Sequence, residues 1–154
     1  MKSVIVHISQ GNVSLYGGDV VKRAVAFNER RGLPCTPELV FAELASQMCA
    51  SDPHTLCLAC VDEAGNVRGH AISHIQELYG HRTAMVYHLE IDKDARDETR
   101  MAMLMQGWDQ IEEWARMSNC KAIRTWAMNK KLAEIFSRHG FEAQPHVLME
   151  KELK

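Results

Sequence analysis

The chain has 154 residues, 46% apolar and 25% charged, with net charge −2, the composition of a single globular domain spanning 1–154. That charge gives no reason to expect a nucleic-acid partner, which asks for a basic face, and no apolar run approaches the roughly 18 residues of a membrane span, so no membrane partner is expected either. Five cysteines, an odd number lying mostly in apolar runs, read as free buried thiols of a cytoplasmic protein rather than a disulfide framework, and the N-terminal segment lacks the pattern of a signal peptide.

Residues 4–8 form a short β-branched run, a predicted first strand. Gln10, Gly11, Asn12, Gly17 and Gly18 mark a loop. Asp19 is then placed to cap a helix reaching Arg31, with Val20, Ala24 and Phe27 on its apolar face and Gly32-Leu33-Pro34 as its stop. Thr36 and Pro37 read as the N-cap and first turn of a second helix, whose buried stripe is Leu39, Val40, Leu44, Ala45 and Met48. The period then changes. Residues 56–61, 67–75 and 83–91 predict a three-strand antiparallel meander, turned at Asp62–Asn66 and again at Leu78–Arg82 around Gly80. Residues 97–117 predict the longest helix, with Met101, Leu104, Met105, Trp108, Ile111 and Ala115 on one face. A strand at 122–127, a helix at 129–139 closed by Gly140, and a last strand over 141–150 broken by Pro145 complete the chain. The order β-α-α-β-β-β-α-β-α-β implies an α+β fold with a mixed, mainly antiparallel sheet flanked by helices.

That order resembles a GNAT acetyltransferase domain, and two blocks carry the resemblance. The first runs from Ile123-Arg124-Thr125-Trp126-Ala127-Met128-Asn129 through Ile135-Phe136 to Gly140-Phe141, a strand, an Asn, a helix with an aromatic residue, and Gly-Phe before a last strand. The second is Val86-Tyr87-His88-Leu89-Glu90-Ile91 followed by Asp92–Met101, the place of the fourth strand and the acyl-CoA pyrophosphate loop. The resemblance covers residues 56–153 well and the two N-terminal helices by order only. It implies an N-acyltransferase moving an acetyl group from acetyl-CoA to a small-molecule or protein amine. It also implies cofactor contacts from the backbone at Leu89 and Ile91, from Arg96, Asp97, Thr99, Arg100 and Met101 in the loop and helix start, and from Asn129. Glu90 would be the base, with His88 or Tyr87 as alternatives.

The sequence departs from the GNAT pattern in two places. Thr99 and Met101 stand where the loop has glycine or alanine, and a Cβ there narrows the approach of a phosphate to the backbone. Asp92, Asp94, Asp97 and Glu98 repel a pyrophosphate, while Lys93, Arg96 and Arg100 offset part of that charge. Phe136 stands where the family's proton-donating Tyr is expected, and its ring has no proton to give; Tyr79 or Tyr87 are the substitutes in reach. An inactive GNAT-fold protein serving as a binding or assembly component, similar to degenerate domains encoded by some bacteriophages, is therefore the alternative.

Other signals are set aside. Cys57 and Cys60 have an odd spacing that puts them on opposite faces of a strand, so they do not share a metal. His70 and His74 share a face, but Ile72 between them is no ligand, and no metal site is expected. The arginines and lysines at 22, 23, 30 and 31 read as solvated helix faces. Met103 lies off the main stripe and reads as a partner contact, and of Trp108 and Trp114 one is expected at a surface suited to a homodimer.

Overall fold

The computed structural model describes residues 2–32, 36–49, 54–93, 97–127, 129–145 and 149–153; the side chains of 43, 46–49, 97 and 98 lie outside the description. The elements in chain order are β1 (Ser3–His7), α1 (Val13–Arg30), α2 (Pro37–Cys49), β2 (Thr55–Asp62), β3 (Val67–Leu78), β4 (His81–Ile91), α3 (Asp97–Met117), β5 (Ala122–Thr125) and α4 (Lys130–Arg138). One five-stranded sheet runs β1-β2-β3-β4-β5, antiparallel except for the parallel β4–β5 pair. The α+β class and mixed sheet expected from the sequence are both present.

β2 is buried on both faces, and its unbroken apolar run follows from that. Cys57, Ala59 and Val61 pack with Val20, Val21 and Leu44 on the face covered by α1 and α2. Leu56 and Leu58 pack with Ala71, Val86, Trp108, Ile111 and Phe136 on the opposite face, under α3 and α4. The period of two along the strand divides one sequence between two cores, and each fully buried aliphatic side chain contributes roughly 1.5–3 kcal/mol.

Several expectations are corrected. α1 begins at Val13, six residues before the expected cap at Asp19, and takes in Gly17 and Gly18. Asn12 sets its start by folding back on the preceding loop: its Oδ1 accepts from the Ser9 N–H at 2.8 Å and its Nδ2 donates to the His7 carbonyl. The two glycines cost helix propensity of about 1 kcal/mol each, and burial of Gly17, Val20, Val21 and Ala24 against the sheet outweighs it. The second helix starts as expected, Thr36 Oγ1 accepting from the Leu39 N–H, but Leu39 lies on the exposed side. The β3–β4 turn is tighter than expected, because Leu78 pairs with His81 and only Tyr79 and Gly80, both at positive φ, make the turn. β5 stops at Thr125, two residues short of expectation. No strand occurs among the described residues after Arg138; Pro145 lacks the N–H that a ladder requires, and the amide of Gln144 turns back to the Glu142 carbonyl. Met103 is buried and so is no surface contact, while Trp114 packs partly against the second core beside Trp108.

Candidate active site

The site is built where the sheet opens. β4 pairs with β3 from His81 to Ile91, but with β5 only from Thr83 to Val86. Beyond Val86 and Thr125 the two strands part. A bulge sits at that point: Ile72 pairs with His88 and Ser73 with Val86, so Tyr87 is an extra residue on β4. A bulge bends its strand and re-aims the side chains around it. The Thr125 hydroxyl donates to the Val86 carbonyl at 3.3 Å and closes the apex. The resulting cleft is narrow and open to solvent, and is lined by Phe27, Arg31, Val86, Tyr87, Leu89, Thr125, Trp126, Leu132 and Phe136. Tyr87 and Trp126 face each other across it at 5.8 Å between ring centroids, and the Tyr87 hydroxyl accepts from Gln76.

The bulge also sends His88 and Glu90 to the α1 face. There the Phe27 ring stacks on His88 at 4.5 Å and meets His70 edge-on. Nε2 of His70 lies 3.2 Å from Nδ1 of His88, and Nδ1 of His70 lies 3.9 Å from Oε2 of Glu90. Burial pushes His70 down to about 3, helped by His88, Arg23 and Arg30. Burial, then Arg31, pushes His88 down to about 4. Both rings are therefore neutral near pH 7, with one proton each. One of the two facing nitrogens, Nε2 of His70 and Nδ1 of His88, donates to the other. Among the described residues Nδ1 of His70 makes no hydrogen bond, and Glu90 lies beyond hydrogen-bond reach of it. Glu90 itself is ion-paired with Arg30 from the last turn of α1.

The expected cofactor residues are distributed along β4 and beyond it. Leu89 lines the cleft. Ile91 is held against Gly69, where a Cβ would lie 2.6 Å from the Glu90 carbonyl oxygen, so only glycine permits this approach of β3 to β4. Asn129 caps α4, its Oδ1 accepting from the Leu132 N–H at 2.8 Å. Thr99 and Arg100 are half-buried in the first turn of α3, and Met101 is partly exposed. Arg96 and the side chain of Asp97 lie outside the described residues. Phe136 is buried in a cluster with Trp108 and Phe141, at centroid separations of 5.4 Å to each, and forms part of the cleft floor. Tyr79, at the tip of the β3–β4 turn, is fully exposed and far along the sheet from the cleft. Among the described residues no group of three or more His, Cys, Asp and Glu is placed to hold a metal. His74 instead bonds to Thr55 at 2.8 Å.

No family profile and no curated protein matches the sequence. Solved structures do. A GNAT family acetyltransferase of Staphylococcus aureus superposes with a TM-score of 0.64 at 14% identity, covering 99% of this chain and 100% of its own. Glucosamine-6-phosphate N-acetyltransferase of Arabidopsis thaliana gives 0.73 at 8% identity over 100% of both chains. A predicted acetyltransferase of Clostridium acetobutylicum, solved with acetyl-CoA, gives 0.73 at 12% identity over 97% of this chain and 96% of its own. The chain has the GNAT acetyltransferase fold.

In a GNAT fold, acyl-CoA enters the V between the fourth and fifth strands, and this chain has that V between β4 and β5. The residues present fit the thioester end of such a ligand: Val86, Leu89 and Trp126 offer apolar walls, and among the described residues β4 beyond Val86 has no partner strand on that side. Sequence reasoning missed Phe27, Arg30, Arg31 and Trp126 as site residues. The adjacent Arg30 and Arg31, just before a helix-ending glycine, look solvated in the sequence, because nothing local says that a helix end folds onto the middle of a distant strand. In the sequence His70 stands out only as a candidate metal ligand. Its neighbour is His88 on the adjacent strand, two positions along β4 from its direct partner Glu90.

Proposed function

We propose that the protein is an N-acyltransferase that moves an acetyl group from acetyl-CoA to an amine. The parting of β4 from β5 at the Tyr87 bulge carries this reading, since it opens a slot of the right kind beside a base cluster. When bound, acetyl-CoA supplies an activated acyl carbonyl. Leu89, Val86 and Trp126 hold the thioester end and exclude water. Glu90, with His88 on the same face of β4, takes the proton that the amine must lose for its nitrogen to bond to the acyl carbon as the C–S bond breaks. Tyr87, whose hydroxyl keeps its own proton to donate while accepting from Gln76, is the group in the cleft able to return a proton to the departing thiolate. Thr99, Arg100 and the α3 N-terminus are the residues that would meet the pyrophosphate, together with Arg96 and Asp97.

A second reading has a specific observation in its favour. Arg30 occupies Glu90, and Phe136 stands in the proton donor's place, both of which suit a GNAT-fold protein that binds without acetylating. Mass-spectrometric detection of acetylated product from an amine panel separates the two. Transfer by the wild type that falls about 10²- to 10⁴-fold in Glu90→Gln supports the enzyme. Acetyl-CoA binding with no product from any amine supports the binding protein.

A further inference from the structure

The charges around the site do not balance, and the excess lies in one place. Arg23 pairs with Asp92 at 2.7 Å, Arg30 pairs with Glu90, and Arg68 is shared between Asp62 and Asp92. Arg31 lines the cleft, and among the described residues no carboxylate pairs with it. Its guanidinium lies over the Phe27 ring at 5.2 Å, and one Nη1 reaches the Tyr87 carbonyl at 3.5 Å, the outer limit of a hydrogen bond. The other N–H groups of its fork have no protein acceptor among the described residues. The two imidazoles beside it are neutral near pH 7, so they neither add to its charge nor cancel it. An arginine held flat by an aromatic ring, half-buried and unneutralised, presents a fixed fork that matches an oxyanion in two hydrogen bonds.

Its position says whose oxyanion this is. β4 continues from Tyr87 to Ile91 and then toward the α3 N-terminus, which is the end where a CoA pyrophosphate would lie. Arg31 stands at the opposite end, beside the bulge, where the acyl group and its acceptor meet. We propose that Arg31 anchors an oxyanion on the acceptor, so that the substrate is a primary amine carrying a carboxylate or phosphate at its other end. This rests on the acyltransferase reading for the reaction, but not for the binding.

Three probes of similar length test it: β-alanine, O-phosphoethanolamine and propylamine. Calorimetric titration without acetyl-CoA reads binding alone, and product formation with acetyl-CoA reads turnover. One or both anionic amines bind, and their kcat/KM exceeds that of propylamine. Arg31→Met lowers binding and kcat/KM for the anionic amine about 10- to 100-fold more than it changes kcat/KM for propylamine, the range of a charge-assisted hydrogen bond. Arg31→Lys retains part of the preference. The relative response to the carboxylate and the phosphate identifies the oxyanion. Arg31 closes α1 through its backbone N–H, so the side-chain change leaves the cap in place, and an unchanged melting temperature reports an intact fold. Arg31-dependent binding of an anionic amine with no turnover of any amine keeps this site and sinks the acyltransferase reading. Equal use of all three amines, or no loss of anionic binding in Arg31→Met, overturns the anchor; so does a lack of binding by both anionic probes.

Discussion

Lowering the pH from 7 to 5 should weaken the fold, and the buried His70–His88 pair sets the amount. Both rings titrate near 6.5 in an unfolded chain, but at about 3 and about 4 in the folded protein. Their folded values are depressed, so across this window the unfolded chain binds protons that the native state does not. Stability therefore falls as pH falls through the unfolded value. By pH 5 each imidazole disfavours folding by about 2 kcal/mol relative to pH 7, and the pair by about 3–4 kcal/mol. His7 is lowered by burial too and acts in the same direction. The charges packed around the pair are Arg23, Arg30, Arg31 and Glu90; the three cations oppose protonation, and Glu90 is already engaged by Arg30. Urea denaturation followed by tryptophan fluorescence at the two pH values measures the difference directly. His70→Gln should lose close to half of the pH dependence, whatever it does to the absolute stability. An unfolding free energy that is level or higher at pH 5 would refute the neutral, buried pair.

Three substitutions test the framework around the site. Gly69→Ala places a methyl group against the Glu90 carbonyl; with backbone on the other side the strands must separate, at about 1–3 kcal/mol, and wild-type urea stability would contradict the close approach. Trp108→Ala empties the centre of the cluster with Phe136 and Phe141 and should cost about 3–5 kcal/mol, read from the same denaturation curve. Asn129→Ala removes the α4 cap and should cost about 1 kcal/mol, with a melting temperature lowered by a few degrees.

Much of the fold was legible because it rests on local signals. Thr36-Pro37 starts α2, and Asn129 with Gly140 brackets α4; each is a boundary whose chemistry is written in consecutive residues. The errors fall where tertiary packing overrode local propensity. Gly17 and Gly18 sit inside α1 because that helix buries its flank on the sheet. Leu39 is exposed because two helices share one face and only part of each stripe finds a partner. The site was half legible. Glu90, His88 and Leu89 followed from the resemblance of the β4 block. The Tyr87 bulge did not, since an unpaired residue in a strand leaves no mark on an otherwise alternating pattern. Nor did the Arg30–Glu90 pair or the free fork of Arg31, which depend on α1 crossing a strand about 60 residues further along the chain.

The central claim is that the gap between β4 and β5 receives an acyl thioester. Calorimetric titration of acetyl-CoA into the wild type and into Leu89→Trp, whose larger ring would fill the cleft, tests this most directly. Micromolar binding by the wild type and its loss in a folded Leu89→Trp is the predicted result. No heat from the wild type at millimolar acetyl-CoA, or equal binding by both proteins, would contradict it.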